Sequence, residues 1–376
     1  MDSKQAVYSV LNHKTPDYIP LGTYAIDCDT AARIIGRETY VRNKAKAQIA
    51  LWEGRRDEVL QSLKEDSVEL FTKLGAIDII IPFKEAQILP PESYTPTKAK
   101  KVSDTVWREE NGTVHAFSAV TNEFSVVERP KVEHSFAGLP MLLPPDPTIF
   151  QAYDHLVNAM TGTRFIAGIC GGFHSMPLLG GMEDGLCLYY EDPELVQRAI
   201  NYFGIEQAFK DQYYIRDGVD QIFIEEDMAT TISPFMSPQM YREFCFESAK
   251  ERIKAIKKHR DKVIFHCCGS TRVYMDMFVE MGIDMYQSLQ TGANMDIAEL
   301  KKCHGSEMAF WGGVSVEKLI NGIMDEVRSE VGYALEHCSS DGGFILGPSH
   351  SIAYGVKYDN FMAMLDEHNR LKSKFI

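Results

Sequence analysis

From residue 164 onward the chain repeats one pattern, and that pattern limits its fold more than any other feature. A short apolar run ends abruptly in glycine, cysteine, histidine or acid, and a helical stretch comes next. The runs are 164–169, closing on Cys170-Gly171-Gly172; 221–224, closing on Glu225-Glu226-Asp227; 263–265, closing on His266; 285–288; 308–311, closing on Gly312-Gly313; and 343–346, closing on Gly347-Pro348-Ser349-His350. Helical periodicity fills the gaps over 193–217, 238–259, 273–281, 295–302, 316–337 and 358–374. Strands alternating with helices of this length predict parallel βαβ units. Two further runs, 19–21 and 79–81, bring the strand count to about eight, which predicts an α/β protein closed as a (β/α)8 TIM barrel. The expectation is a single domain over residues 1–376, with insertions in the N-terminal half. One is a hairpin over 106–115, marked by Asn111-Gly112, and another is the Pro-rich passage 139–147.

In the N-terminal part the pattern predicts helices over 6–11, from about Ala31 to Ile35, over 42–63 and over 148–160, with a polar, turn-rich stretch at 90–103. The formal charge of −14 argues against nucleic acid and against an anionic membrane as partner. No stretch of about 18 apolar residues is present, so no membrane span is expected. The eight cysteines form no dense framework of the secreted kind, and Met1 to Gln5 leads into no signal core. Both point to the cytoplasm.

The chemistry centres on His266-Cys267-Cys268-Gly269. Side chains alternate along an extended chain, so His266 and Cys268 share a face while Cys267 turns away into packing. Imidazole and thiolate are preferred zinc ligands. In a barrel, the C-terminal ends of the strands converge on one mouth. The residues just past the strand ends therefore add His350 and Glu226 to the candidate set. His266, Cys268 and His350 are the expected metal ligands. Glu226 is a fourth ligand that substrate displaces, a nearby base, or a supporting carboxylate. Asp227 is a second candidate catalytic acid, or the group that orients a ligand histidine. Cys170 could line the pocket or pack the core. Gly171-Gly172 and Gly312-Gly313 could leave room for a ligand, and Trp107, Tyr189 and Tyr190 are candidate pocket aromatics.

Several longer stretches carry a family resemblance. The opening Leu11-Asn12-His13-Lys14-Thr15-Pro16-Asp17-Tyr18-Ile19-Pro20 resembles the start of the uroporphyrinogen decarboxylase superfamily. Glu226-Asp227-Met228-Ala229, Ile232-Ser233-Pro234 and the segment from Ser237 to Phe244 resemble its central signature. The superfamily fold is a (β/α)8 barrel. His266-x-Cys268-Gly269 resembles the signature of its zinc-dependent, cobalamin-linked methyltransferases. That branch implies a methyl group moving between a small methylated substrate, or a thiol, and the cobalt of a corrinoid. No Asp-x-His-x-x-Gly pattern is present, so the corrinoid is expected on a partner protein. A homodimer stays open. The branch's third ligand is usually a cysteine in a Gly-Cys segment, where this chain has Gly347-Pro348-Ser349-His350. The substitution makes a less electron-rich zinc and turns the expectation from a plain thiol toward a methoxylated, O-demethylase-type substrate. The decarboxylase's arginine-rich segment has no match after Pro20, where Gly22 to Asp27 stand instead. Two alternatives remain: a cofactor-free decarboxylase with a carboxylate-binding Arg or Lys in the mouth, and a non-catalytic zinc-binding barrel.

Overall fold

The computed structural model describes residues 1–130, 135–138 and 140–376. Leu139, the first residue of the Pro-rich passage, lies outside the described residues.

Seven parallel strands run in sequence order: Ile79–Ile80, Phe165–Gly168, Gln221–Glu225, Val263–His266, Met285–Ser288, Ala309–Val314 and Phe344–Pro348. Leu21 and Gly22 supply the eighth. Leu21 bridges Leu346 and Gly22 bridges Ile79, both in parallel. The backbone bonds Gly22 N to Leu346 O, Leu346 N to Pro20 O and Asp78 N to Leu21 O join both edges of the sheet. The protein is a TIM barrel.

The period of two along each strand sorts its side chains. Ile79, Phe165, Phe223, Ile264, Met285, Ala309, Trp311 and Ile345 point inward and form one apolar cluster. Their neighbours Ile166, Ile222, Ile224, Val263, Phe265, Phe310, Phe344 and Leu346 point outward into a second cluster, shared with the surrounding helices. The first helix, Ser3–Leu11, places Val7, Val10 and Leu11 in the inner cluster and so closes one end of the barrel. Tyr24 and Phe83 join that cluster from loops past the strand ends. Trp311 is fully buried in the interior. A Cβ on Gly22 would stand 2.5 Å from its indole, and one on Gly347 would stand 2.6 Å from it. Both glycines are therefore spacers that admit the largest side chain in the barrel.

Several boundaries differ from the sequence reading. The expected helix over 42–63 is two helices, Lys44–Trp52 and Arg56–Lys73, divided at Gly54, whose φ is +77°. That over 316–337 divides into Val316–Asn321 and Met324–Cys338 around Gly322. That over 238–259 contains a wider π turn at Arg242–Phe246. The hairpin at Asn111-Gly112 belongs to a four-stranded antiparallel sheet of Ala99–Ser103, Val106–Glu109, Val114–Ser118 and Glu123–Glu128. Part of the expected turn-rich stretch is thus a strand. Gly312 and Gly313 make room for protein, not ligand: a Cβ would meet Ser288 O at 2.3 Å and Ala334 at 2.9 Å. Gly171 likewise packs on the backbone at Gln207. Among the described residues no helix is long and apolar enough to cross a membrane.

The closure makes a prediction. Gly22→Ala forces a methyl group into Ile79 and Trp311 and should lower stability by about 1–3 kcal/mol in denaturant unfolding. An unchanged midpoint would show that the closure tolerates a side chain there.

Candidate metal centre

Parallel pairing places Glu225, His266 and Gln287 side by side on three adjacent strands. His266 is in register with Glu225 on one side and with Gln287 on the other. All three therefore share the inward layer, at the strand ends. The chain then leaves the sheet at Cys267, and Gly269 turns with φ +88°. A Cβ at Gly269 would come within 2.6 Å of Thr230 O and 2.7 Å of Ala229 O, so only glycine lets this loop lie against 229–230. The turn leaves the Cys268 thiol over the mouth. His350 arrives from Phe344–Pro348. Ser349 N continues the ladder to Val314 O at 2.7 Å, and Ser349 Oγ accepts from Val316 N at 3.1 Å. One ligand atom each from His266, Cys268 and His350 lies within 4.8 Å of the other two. Such a set could hold a metal ion.

The groups behind the donors fix how they face. Gln287 Nε2 donates to the carbonyl of Pro348 at 3.4 Å, which turns its Oε1 toward His266 Nδ1. An amide oxygen only accepts, so Nδ1 carries the proton and Nε2 keeps its lone pair. An acceptor behind the far ring nitrogen fixes the tautomer and orientation of a metal-ligating histidine, and the Gln287 amide can serve in that way. His350 Nδ1 lies 3.0 Å from Ser351 Oγ, which leaves its Nε2 free for a ligand role. The Cys268 thiol donates to Asp227 Oδ1 at 3.4 Å. Tyr24 stacks on the His266 ring, centroids 4.0 Å apart and planes 16° apart, and its hydroxyl donates to Glu225 Oε2.

Burial is the largest influence on the protonation of His266, His350 and Cys268. It pulls the His266 imidazole down to about 3, and His350 beside it pushes the same way. It lowers His350 too, with Arg42 adding to the effect. It raises the Cys268 thiol to about 12, with Asp227 next in importance. Near neutral pH the metal-free set is thus two neutral imidazoles and one thiol. Burial and the nearby Glu85 raise the Glu225 carboxyl to about 7.

Glu226 is not with the triad, which corrects its expected place beside the metal. Its carboxylate accepts from Ser175 Oγ and, at 3.0 Å, from Met176 N. Alternation past the strand end is the reason: Glu225 and Asp227 face the mouth, while Glu226 turns to the 175–176 loop. Asp227 reaches the thiol rather than a histidine. Cys267 is buried in the outer cluster, as is Cys170. Tyr189 packs in the core, Tyr190 is exposed, and Trp107 packs edge-to-face with Phe124 in the inserted sheet. Sequence reasoning passed over Gln287, Tyr24 and Arg42. Arg42 pairs with Asp27 through Nε at 2.7 Å and lies over the Phe83 ring, 5.4 Å from its centroid. Among the described residues nothing accepts a hydrogen bond from its two terminal nitrogens.

The profile of the uroporphyrinogen decarboxylase (URO-D) family matches residues 107–371, most of the chain. The chain belongs to the uroporphyrinogen decarboxylase family. This URO-D protein is similar in fold to a methyltransferase from Methanosarcina mazei, with a TM-score of 0.67 at 16% identity and 99% of each chain covered. It is also similar to a candidate vitamin-B12-independent methionine synthase from Listeria monocytogenes, with a TM-score of 0.51 at 11% identity, covering 94% of this chain and 98% of that one. At such identities the likeness speaks for the fold. No curated protein matches the sequence.

Metal uptake by this site should release a predictable number of protons. Burial lowers both imidazoles, so both are neutral at pH 7.5, while the thiol must ionise to bind. Calorimetry in buffers of different ionisation enthalpy should therefore find roughly one proton released per metal ion at pH 7.5. Two or more would mean that an imidazole starts out charged.

Proposed function

We propose that this URO-D protein is a zinc-dependent methyltransferase that moves a methyl group between a small methylated substrate and the cobalt of a corrinoid on a separate protein. One observation carries the reading: two imidazoles and a thiol, from segments far apart in sequence, meet within 4.8 Å at the mouth of the barrel. This nitrogen–sulfur donor set suits zinc, and three protein ligands leave a position for substrate. The names of the two structural neighbours agree with methyl transfer.

When bound, zinc would supply Lewis acidity to the substrate heteroatom that carries the methyl group. The chain's own residues do the rest. Gln287 holds the His266 tautomer with its lone pair available. Ser351 steadies His350. Asp227 accepts a hydrogen bond from the Cys268 thiol in the metal-free protein. Tyr24 covers one face of His266 and keeps water from it. In the transfer, the heteroatom–methyl bond breaks with its electron pair on the heteroatom. The methyl carbon takes a new pair from cobalt(I), which becomes cobalt(III). The leaving heteroatom then gains a proton from solvent.

A cofactor-free decarboxylase is the second reading, and Arg42 is the observation that favours it. Its guanidinium lies at the mouth with two nitrogens available to a carboxylate. The two readings part on metal. With cobalt(I) cobalamin and a panel of methyl ethers, methylamines and methyl thioethers, the zinc-loaded protein should form methylcobalamin. Cys268→Ala should reduce the rate at least about a hundredfold. Full activity in the metal-free protein, or decarboxylation without metal, would replace the first reading with the second.

A further inference from the structure

A cavity of about 140 Å³ opens at the same mouth, and Glu225 forms part of its wall. Phe83, Phe173 and Phe223 supply aromatic walls, and Ile169 adds an aliphatic one. An apolar cavity of about this size accepts one benzene ring. It has no room for a four-ring porphyrinogen. Phe83 and Phe223 stand with centroids 5.8 Å apart and planes at 69°, so they present an edge and a face together. That is the geometry in which a further ring packs well.

Polar groups share the lining. Glu225 is bonded to Tyr24, which stacks on the candidate ligand His266. His174, Lys84 and Glu85 line the cavity as well. His174 has φ +34°, outside the range that side chains favour. Such strain persists only where the surroundings fix the backbone. Here they do so on both sides. Before His174, Gly171 N donates to Asp211 Oδ1 at 2.9 Å. The Gly172 carbonyl accepts from Arg252 Nε and Nη2 at 3.2 and 3.1 Å. Arg252 and Asp211 are themselves a buried ion pair. After His174, Glu226 holds Ser175 and Met176, and Ser175 Oγ lies 2.9 Å from the Tyr241 hydroxyl. The buried groups around this loop thus present Phe173 and His174 to the cavity in one arrangement.

We propose that this cavity is the slot for a single aromatic ring of the methyl-bearing substrate. Phe83, Phe173 and Phe223 contact the ring, and His174 contacts a polar ring substituent. The substrate class is a small aromatic methyl ether with a second polar substituent. This rests on the methyl-transfer reading and narrows it. It gives Glu226 a part as a positioning residue, acting through the loop that carries Phe173 and His174.

The probe is 2-methoxyphenol, titrated into the full-length protein with and without zinc, with tetramethylammonium as a cationic control of similar bulk. Binding of 2-methoxyphenol in preference to tetramethylammonium is expected. Phe173→Leu, which keeps an apolar side chain, should weaken it about tenfold at unchanged zinc content. His174→Gly, which relieves the backbone, should weaken it as well. The slot is overturned if zinc-loaded protein transfers methyl groups yet does not bind 2-methoxyphenol, if tetramethylammonium binds better, or if neither substitution changes binding. Equal binding of 2-methoxyphenol by a protein that holds no zinc and transfers no methyl group would keep the slot and sink the methyl-transfer reading instead.

Discussion

Everything at the mouth depends on closing the parallel sheet through Leu21 and Gly22. These two residues join the first strand to the last, with backbone bonds to Leu346 on one edge and Asp78 on the other. Without that seam, Tyr24 and His350 would lie at opposite edges of an open sheet. With it, Tyr24 stacks on His266 and the two histidine rings stand with centroids 5.9 Å apart. Trp311 fills the space that the seam encloses, and Gly22 and Gly347 are small because it does. Packing at the centre of the barrel and geometry at its mouth are thus set by the same residues.

The second constraint is electrostatic. A neutral donor set is what a buried, metal-free site can sustain, since charge there carries a large desolvation cost. The protein meets this by keeping both imidazoles neutral and the thiol protonated against Asp227. Hydrogen bonds with uncharged partners, Gln287 and Ser351, then choose the orientation without adding charge. The carboxylates behave in the same way. Glu225 accepts a hydrogen bond from the Tyr24 hydroxyl, and Glu226 is satisfied by a hydroxyl and an amide. A cation entering the triad would find lone pairs already aimed and one proton to displace.

The strand–helix units after residue 164 were legible because each apolar run is short, sharply ended and succeeded by a helix of the expected length. The inserted sheet was only half legible. Asn111-Gly112 marked its central turn, but Ala99–Ser103 and Glu123–Glu128 are mostly exposed and lack the alternation that a buried face imposes. At the mouth, His266, Cys268 and His350 stood out as metal-binding residue types at strand ends. Gln287 did not, because glutamine is no metal signal and only its register with His266 gives it a role. Tyr24 and Arg42 come from loops, whose paths no periodicity encodes. Glu226 shows the limit most clearly. Three acids in a row end one strand, and one residue of phase decides which of them face the triad.

The central claim is that His266, Cys268 and His350 hold a metal ion. Elemental analysis of the purified protein, beside a His266→Ala, Cys268→Ala double variant, tests it most directly. The account predicts about one zinc per native chain and none in a variant that remains folded. A well-folded native protein that carries no metal and takes none up would contradict it, and would leave the histidine–cysteine cluster as packing at the mouth of a metal-free barrel.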